Sequence, residues 1–555
     1  MTLRVAAGFA PSLLFENPVE VWAPRDNGGA LFALRRAEAA LRDGYWIAGA
    51  LAYELAGALT GIETHAPVTP LLVLGAFREP RRLDDLAPRA EARIPMPLAR
   101  VARSEYDARL AYVLNEIRDG EVYQVNYTVP FDVALRGEAF DLFALLAERS
   151  EAPYSAYLEY GDLRVVSISP ELFLRFEGSH VETKPMKGTA PLHDVSQLRD
   201  PKNRAEHVMI VDLLRNDLHR VCEGVRVERL FEIERYPTFA TMTSTIAGTL
   251  RNGVTLEGLL RAAFPCGSVT GAPKRAAMQH ITTTEREARG FYTGSIGFLS
   301  PQRQGWWNVA IRTLQFDGER GRVDIGGGIV SDSTANGEWA EILLKARYLQ
   351  PAWEGFALLE TLRAGAGAPD PAPHLDRIMR SAERFGITVD RTEIASRIAA
   401  LAGCEEPQLV RIRAGVDGVS FTAEPLAVTP EPAPFAISNA RVRSADPFLA
   451  HKTSWRAAHE AAAAFARERG CFDAALRNER GEITEGARTN IFARIGNTLY
   501  TPPLGSGVLP GILRSRLVSD GTAVERILFA EDLAAADAVY AGNSARGLIQ
   551  VRLVK

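Results

Sequence analysis

The sequence predicts an α/β protein of two units in tandem, on three observations. At 555 residues the chain is too long for one hydrophobic core. Its middle third alternates strand and helix patterns and is rich in glycine. After Pro351 the character changes to short strands and two helices. Hydrophobic residues make up 46% and charged residues 24%, as in ordinary globular domains. With 64 basic against 68 acidic residues, net charge −4, no electrostatic argument favours nucleic acid or a membrane surface. Met1 to Phe15 is mildly apolar but is interrupted by Pro11 and followed by Glu16, so neither a signal peptide nor a membrane span is expected. Cys222, Cys266, Cys404 and Cys471 lie far apart, without metal-ligand spacing or a disulfide framework. A reducing cytoplasm is the expected compartment.

The elements follow in order. A helix around Leu31 to Leu41 precedes Tyr45–Tyr53, an apolar run that reads as a buried strand. The charged, proline-containing stretch Arg81–Arg100 reads as a surface crossing. Ser104-Glu-Tyr-Asp107 is a helix-start signature, with the helix running to about Asp119. Tyr123–Val129 reads as a strand. Arg204–Asp217 has helical periodicity, with Glu206, Ile210 and Leu213 along one face. A helix runs from about Ser333 to Gln350. Residues 1–352 form the expected front unit, with an N-terminal subregion to about 95. Residues 353–555 form the rear unit, with helices at His374–Phe385 and around Arg456–Glu468.

In the front unit, Lys187 stands between Met186 and Gly188, where a glycine lets a tight loop project a lysine. An amine held in a desolvated pocket becomes a usable nucleophile. Glu171, in Ser169-Pro-Glu-Leu-Phe173, supplies a carboxyl that can donate a proton beside it. Taken alone, a loop lysine is a solvated surface charge. Glu338, Glu341 and Lys345 are spaced to line one helix face. The plain reading is a solvated face with a Glu341–Lys345 ion pair. The alternative is that carboxylates from two helices hold magnesium, which prefers oxygen ligands. Glycine-rich turns at Pro265–Lys274, Tyr292–Gly297 and Gly326–Gly328 can bring backbone N–H groups close to an anion. Arg312 can add a forked contact to a carboxylate.

Ser169-Pro-Glu171, Pro185–Thr189, Ala205-Glu-His207, Gly267–Lys274, Gly294–Gly297, Gly326–Val330 and Glu338–Glu341 occur in that order. Together they resemble the chorismate-utilising enzymes, which include anthranilate, isochorismate and aminodeoxychorismate synthases. The resemblance implies a front α/β sandwich of antiparallel sheets with helices outside. It implies that Glu206 and Glu341 bind Mg2+, with Glu338 supporting through water. It also implies that Gly267, Thr270, Tyr292, Arg312, Gly327, Gly328 and Lys345 contact the substrate. Members differ at the position of Lys187. By resemblance a lysine there attacks the ring at C2 while the C4 hydroxyl leaves, with Glu171 as general acid. Ammonia then adds at C4 and expels the lysine. Gln124 stands where isochorismate-forming members carry a lysine, which argues against water addition. Thr241 departs from a histidine common in the family.

In the rear unit, His451-Lys-Thr-Ser454 precedes a helix, and Gly481–Phe492 and Leu509–Arg514 follow. A lysine can hold pyridoxal phosphate, a carboxylate such as Glu485 can face its pyridine nitrogen, and a helix start at Gly511 can hold its phosphate. Each alone has a bland structural reading. The ordered set resembles the fold-type IV pyridoxal-phosphate enzymes, a two-subdomain fold that includes branched-chain and D-amino-acid aminotransferases and aminodeoxychorismate lyase. The resemblance implies Lys452 as the cofactor lysine and Glu485 as the ring partner. It implies Arg377, Gly511, Ile512 and Ser544 as phosphate contacts, and aligns Thr361 with a lyase threonine. It also allows a homodimer through this unit.

The two resemblances explain each other. An amine installed at C4 by the front unit is a substrate for the rear one, whose product after loss of pyruvate is 4-aminobenzoate. The expectation is a bifunctional folate-pathway enzyme using chorismate and ammonia, Mg2+ and pyridoxal 5′-phosphate. The alternative pairs the same synthase with a branched-chain or D-amino-acid aminotransferase. A non-catalytic regulatory module is the other class, and the presence of the metal carboxylates and both lysines argues against it. No cysteine sits in a glycine-flanked nucleophile elbow, so a separate glutamine amidotransferase subunit is expected by family analogy.

Overall fold

Trp46–Leu51 and Leu72–Phe77 are apolar along nearly their whole length, and both lie in the interior of a sheet. The computed structural model describes residues 2–8, 12–83, 86–190, 192–237, 239–353 and 355–554. It divides into two units, Met1–Glu354 and Gly355–Lys555.

The front unit contains two antiparallel sheets of ten strands each among the described residues. The first runs from Gly271–Ala272 through Gln124–Ala134, Arg320–Ile329, Thr313–Asp317, Leu163–Ser169, Tyr154–Tyr160 and Leu3–Ala7 to Ser12–Phe15 and Arg81–Leu83. The second runs from Met186–Ala190 through Ala240–Leu250, His180–Lys184, Leu172–Glu177, Gln304–Asn308, Ser295–Leu299, Trp46–Leu51 and Leu72–Phe77 to Glu20–Trp22. Leu3, Val5, Phe15 and Leu158 of the first sheet pack with Val73, Phe77 and Ile296 of the second in one buried cluster. Burying each such side chain stabilises the fold by about 1.5–3 kcal/mol. The strands that carry the candidate site residues, 124–134, 186–190, 240–250 and 320–329, lie toward one end of each sheet.

A buried ion pair knits that region. Arg289 is 1% exposed and uses all five guanidinium N–H groups. Two bonds go to Glu285, at 2.9 and 2.6 Å. The others go to the carbonyls of Val269 at 3.0 Å and Asn126 at 2.7 Å, and to Thr293 Oγ1 at 3.1 Å. Glu285 also accepts the Thr128 N–H at 3.0 Å. The backbone N–H groups of Arg289 and Gly290 donate to Glu54, at 2.7 and 3.0 Å.

The structure corrects several expectations. Lys187 is not on a loop: it lies on the strand Met186–Ala190, where the pairing register shifts beside Gly188. Gly188 has φ +72°, a conformation that glycine adopts freely. Gly326–Gly328 is not a turn: it is the paired end of the strand Arg320–Ile329. A run of glycines without side chains still forms a ladder, because its backbone groups bond to Gln124–Ala134. The helix expected from Ser104 begins at Arg103 and has no side-chain cap, so Ser104 lies inside its first turn. The helix expected over 333–350 spans Ala335–Ala346, with Thr334 capping it through the Gly337 N–H. A 3-10 turn, Arg347–Leu349, and a short helix, Gln350–Trp353, follow. Pro351 lies near the start of that last helix, where a missing N–H costs nothing.

The rear unit contains a three-stranded antiparallel sheet, Leu358–Ala364, Gln408–Gly415 and Gly418–Pro425. It also contains a mixed eight-stranded sheet whose parallel pairs include Ala433–Val442 with Asp473–Asn478. Helices Ala372–Phe385 and Ala457–Glu468 pack on these two sheets, respectively.

Arg289→Met removes the partner of a buried carboxylate. It is expected to destabilise the front unit by about 3–5 kcal/mol, read as a lower urea midpoint for its unfolding transition.

Candidate active sites

In the front unit, the ends of the two sheets bring Lys187 and Gln124 together. Lys187 Nζ lies 3.5 Å from Gln124 Oε1. A Cβ at Gly328 would stand 3.0 Å from Lys187 Nζ and 2.7 Å from Gln124 Nε2, so only glycine leaves this space open. Burial pushes the Lys187 amine below its ordinary 10.5, and Lys345 pushes the same way. The charges of Glu206, Glu341 and Glu171 oppose this in part.

Glu171 is 4% exposed. Burial raises its carboxyl from 4.5 to about 7, although hydrogen bonding from Ser268 and Met186 and the charge of Lys187 pull the other way. Its Oε1 is buried without a hydrogen-bond partner among the described residues. An acid raised to about 7, so that it keeps its proton up to neutrality, and an amine whose charge is disfavoured therefore lie within electrostatic reach of each other. Environments that displace two titrating groups in this manner mark acid and base or nucleophile assignments.

The carboxylates of the helix Ala335–Ala346 gather around Gly327. A Cβ there would lie 3.2 Å from Glu338 Oε2, 3.7 Å from Lys345 Nζ and 3.9 Å from Glu341 Oε1. Ser333 Oγ donates to Glu338 Oε1 at 2.6 Å. Burial raises the Glu338 carboxyl, Ser333 and Lys345 lower it, and Glu341 and Glu206 raise it further. The three carboxylates thus feel one another, although Glu206 is on a separate helix, Pro201–His219. Lys345 donates to the Gly326 carbonyl at 2.8 Å and pairs with Glu341 at 2.8 Å. Among the described residues no group of three or more metal-ligating side chains is poised around one point. The hard oxygen donors fit a cation bound through two carboxylates, with water completing its shell.

Other predicted contacts behave differently. Thr270 Oγ1 turns to the carbonyls of Cys266 and Gly267, both at 3.3 Å. A Cβ at Gly267 would lie 2.5 Å from Leu213, so this glycine lets the Gly267–Val269 turn pack on the 201–219 helix. Arg312 has φ +50° and lies over the Phe239 and Tyr348 rings, at 4.3 and 5.8 Å. Burial lowers its guanidinium to about 10, against the influence of Tyr348 and Tyr236. No carboxylate among the described residues pairs with it. Tyr292 is buried near Arg289, and burial raises its phenol above its ordinary value. Thr241 donates to the Gly188 carbonyl at 2.7 Å, so it braces the strand that carries Lys187.

In the rear unit a cavity of about 650 Å³ is lined by Lys452, Thr361, Arg377, Glu485, Gly511, Ile512 and Ser544. All the residues predicted for that site meet there. Burial lowers the Lys452 amine from 10.5 to about 8, opposed by Glu360 and reinforced by Arg377 and Arg456. Arg377 donates to Glu360 at 2.7 and 2.8 Å. His374 Nδ1 lies 2.8 Å from the same carboxylate. Burial works to raise Glu360, but the Arg377 charge and these hydrogen bonds outweigh it and hold it at about 2. Glu485 is fixed by His459 Nε2 at 2.9 Å, and Asn490 lies 3.4 Å away. Gly511 caps the helix Ile512–Ser519, and a Cβ there would meet Asn490 Oδ1 at 1.9 Å. A buried amine of lowered pKa, a braced carboxylate and a helix N-terminus in one cavity suit pyridoxal phosphate. Sequence reasoning missed Glu360, His459 and Ser333, whose roles rest on contacts across the fold or within loops without a motif.

Glu171→Gln isolates the cost of the buried acid. A carboxyl raised from 4.5 to about 7 favours folding fully below pH 4.5 and loses that contribution as pH rises through 7. The variant is therefore expected to gain stability relative to the unaltered chain between pH 5 and 8.5, by on the order of 3 kcal/mol. Urea unfolding at the two pH values checks it.

Comparison with known proteins finds two family matches in succession along the chain. Residues 80–351 match the chorismate binding enzymes, and residues 357–554 match the class IV amino-transferases. Aminodeoxychorismate synthase component 1 of Salmonella typhimurium is 38% identical over 280 residues, 47% of this chain and 62% of that protein. Anthranilate synthase component 1 of Aquifex aeolicus is 37% identical over 263 residues, 45% of this chain and 53% of that protein. The chain thus spans between half and two thirds of the length of these relatives. The crystal structure of anthranilate synthase component I from Streptococcus pneumoniae TIGR4 shares the front fold, with a TM-score of 0.53, 23% identity and coverage of 63% of this chain and 92% of that one. The chain carries a chorismate binding enzyme domain followed in sequence by an aminotransferase class IV domain.

Proposed function

We propose that this chain makes 4-aminobenzoate from chorismate and ammonia in two steps, the first in the front unit and the second in the rear. The observation that carries the reading is Lys187, an amine of lowered pKa in the same pocket as the raised carboxyl of Glu171. The named relatives include both anthranilate and aminodeoxychorismate synthases, so overall similarity does not select the reaction. Lys187 and the rear domain select it.

Neutral Lys187 forms a bond from Nζ to ring C2 of chorismate, while the C4 hydroxyl departs with the Glu171 proton as water. Ammonia then bonds to C4 and the electron pair of the C2–N bond returns to Lys187. The sum is chorismate plus ammonia giving aminodeoxychorismate plus water. Glu206 and Glu341 would hold Mg2+, with Glu338 supporting it through water, and the ion would neutralise substrate carboxylate charge. Arg312 supplies a cation for a carboxylate. Tyr292 and Lys345 border the same pocket, while Gly327 and Gly328 keep it open. Gly267 and Thr270 shape it through packing and backbone contacts. A separate glutamine amidotransferase subunit supplies the ammonia.

In the rear cavity, Arg377, Gly511, Ile512 and Ser544 would hold the phosphate of pyridoxal phosphate, and Glu485 would face its pyridine nitrogen. When bound, the cofactor supplies an electron sink for the carbon that bears the amine. Lys452, with its amine at about 8, holds or moves the proton at C4 of aminodeoxychorismate, and Thr361 lies on the wall beside it. Loss of pyruvate then leaves an aromatic ring. The second reading, an aminotransferase, requires an added keto acid.

Supplied with chorismate, ammonium, Mg2+ and pyridoxal phosphate but no keto acid, the chain is expected to release 4-aminobenzoate and pyruvate. Lys452→Ala is expected to accumulate aminodeoxychorismate and yield no 4-aminobenzoate, and Lys187→Ala to lower aminodeoxychorismate formation by at least about a hundredfold. Liquid chromatography of the products decides. Unchanged 4-aminobenzoate from Lys452→Ala would sink the lyase assignment, and anthranilate as the product would sink the synthase assignment.

A further inference from the structure

We infer that Tyr348 is a substrate-binding residue of the front site, its hydroxyl donating to the same carboxylate that Arg312 receives. The inference rests on the chorismate reading above and adds a contact to it.

Four observations lead there. The site residues Glu338, Glu341 and Lys345 follow one another at spacings of three and four, and Tyr348 comes three residues later. It continues the row onto the 3-10 turn Arg347–Leu349, so it extends the face that meets the pocket. The Tyr348 hydroxyl is buried and has no hydrogen-bond partner among the described residues. Its neighbour Arg312 lies over the Tyr348 ring, 5.8 Å from the centroid, and has no carboxylate partner among the described residues. The one nearby carboxylate acting on Tyr348, Asp324, is already engaged by Arg322 at 2.6 and 2.8 Å.

A buried donor without an acceptor costs free energy, and the guanidinium beside it lacks a carboxylate partner among the described residues. An anion seated between them accepts from both. Burial raises the Tyr348 phenol above its ordinary value, so it stays protonated and can donate. Arg312, lowered only to about 10, stays a cation at neutral pH. The pair therefore offers a carboxylate one charged and one neutral donor.

Tyr348→Phe removes only the hydroxyl and keeps the ring under Arg312. Isothermal titration with chorismate, together with steady-state kinetics at saturating ammonium, tests the inference. The expected result is a Kd and KM for chorismate raised about tenfold, with kcat within about twofold and a thermal midpoint of the ligand-free chain that is not lowered. A structural role would lower the midpoint or kcat without this split. If Tyr348→Phe binds chorismate as tightly as the unaltered chain, the inference is wrong while the chorismate reading stands. If the unaltered chain neither binds nor converts chorismate, both fall together.

Discussion

The front unit depends on one buried ion pair. Arg289 and Glu285 lie four residues apart, and both are almost wholly shielded from water. Charges in that position are tolerated only when every donor and acceptor is used. Arg289 meets this by reaching the Asn126 strand, the Val269 turn and the Thr293 turn at once. These are the segments that flank Gln124, Thr270 and Tyr292. The cost of burying the pair is thus offset by bonds that fix three separate pieces of the pocket wall, and Glu54 fixes the Arg289–Gly290 backbone.

On that frame, two glycines decide what the pocket can contain. Gly328 leaves space for the Lys187 amine and the Gln124 amide, and Gly327 leaves space for Glu338 and Lys345. An alanine at either place would need its neighbours to give way. The result is a cavity wall of paired strand with side chains arriving from elsewhere. The same burial that surrounds Lys187 disfavours its charge, and burial raises the Glu171 carboxyl to about 7. Packing and chemistry share one cause here, the removal of water. The rear cavity repeats the logic with different parts: Lys452 is desolvated, and Glu360 is held ionised by Arg377 and His374 despite its burial.

Much of both sites was legible in the sequence because motif residues stay together along the chain. Ala205-Glu-His207 and Glu338–Glu341 each lie on one helix, and Ser169-Pro-Glu171 forms the short link between two consecutive strands. Helical spacing placed Glu338, Glu341 and Lys345 on one face, and the structure gathers them around Gly327. The strand position of Lys187 was not legible. Gly188 reads as a loop residue, yet the pairing of 186–190 with Ala240–Leu250 overrides that local preference. Gly326–Gly328 misled for the same reason. A triple glycine signals a turn only where no neighbouring strand offers a ladder.

What the sequence by itself determined is the α/β class, the order of two domains and which side chains are the candidates for chemistry, because these follow from residue type and near spacing. What only the tertiary structure decided is which of those side chains share a pocket and in which protonation state. Lys187 and Gln124 are 63 positions apart, and His459 and Glu485 are 26 apart. No local pattern encodes such pairs. They form because sheet register and side-chain packing exclude water around them, and the same exclusion disfavours the charge of Lys187.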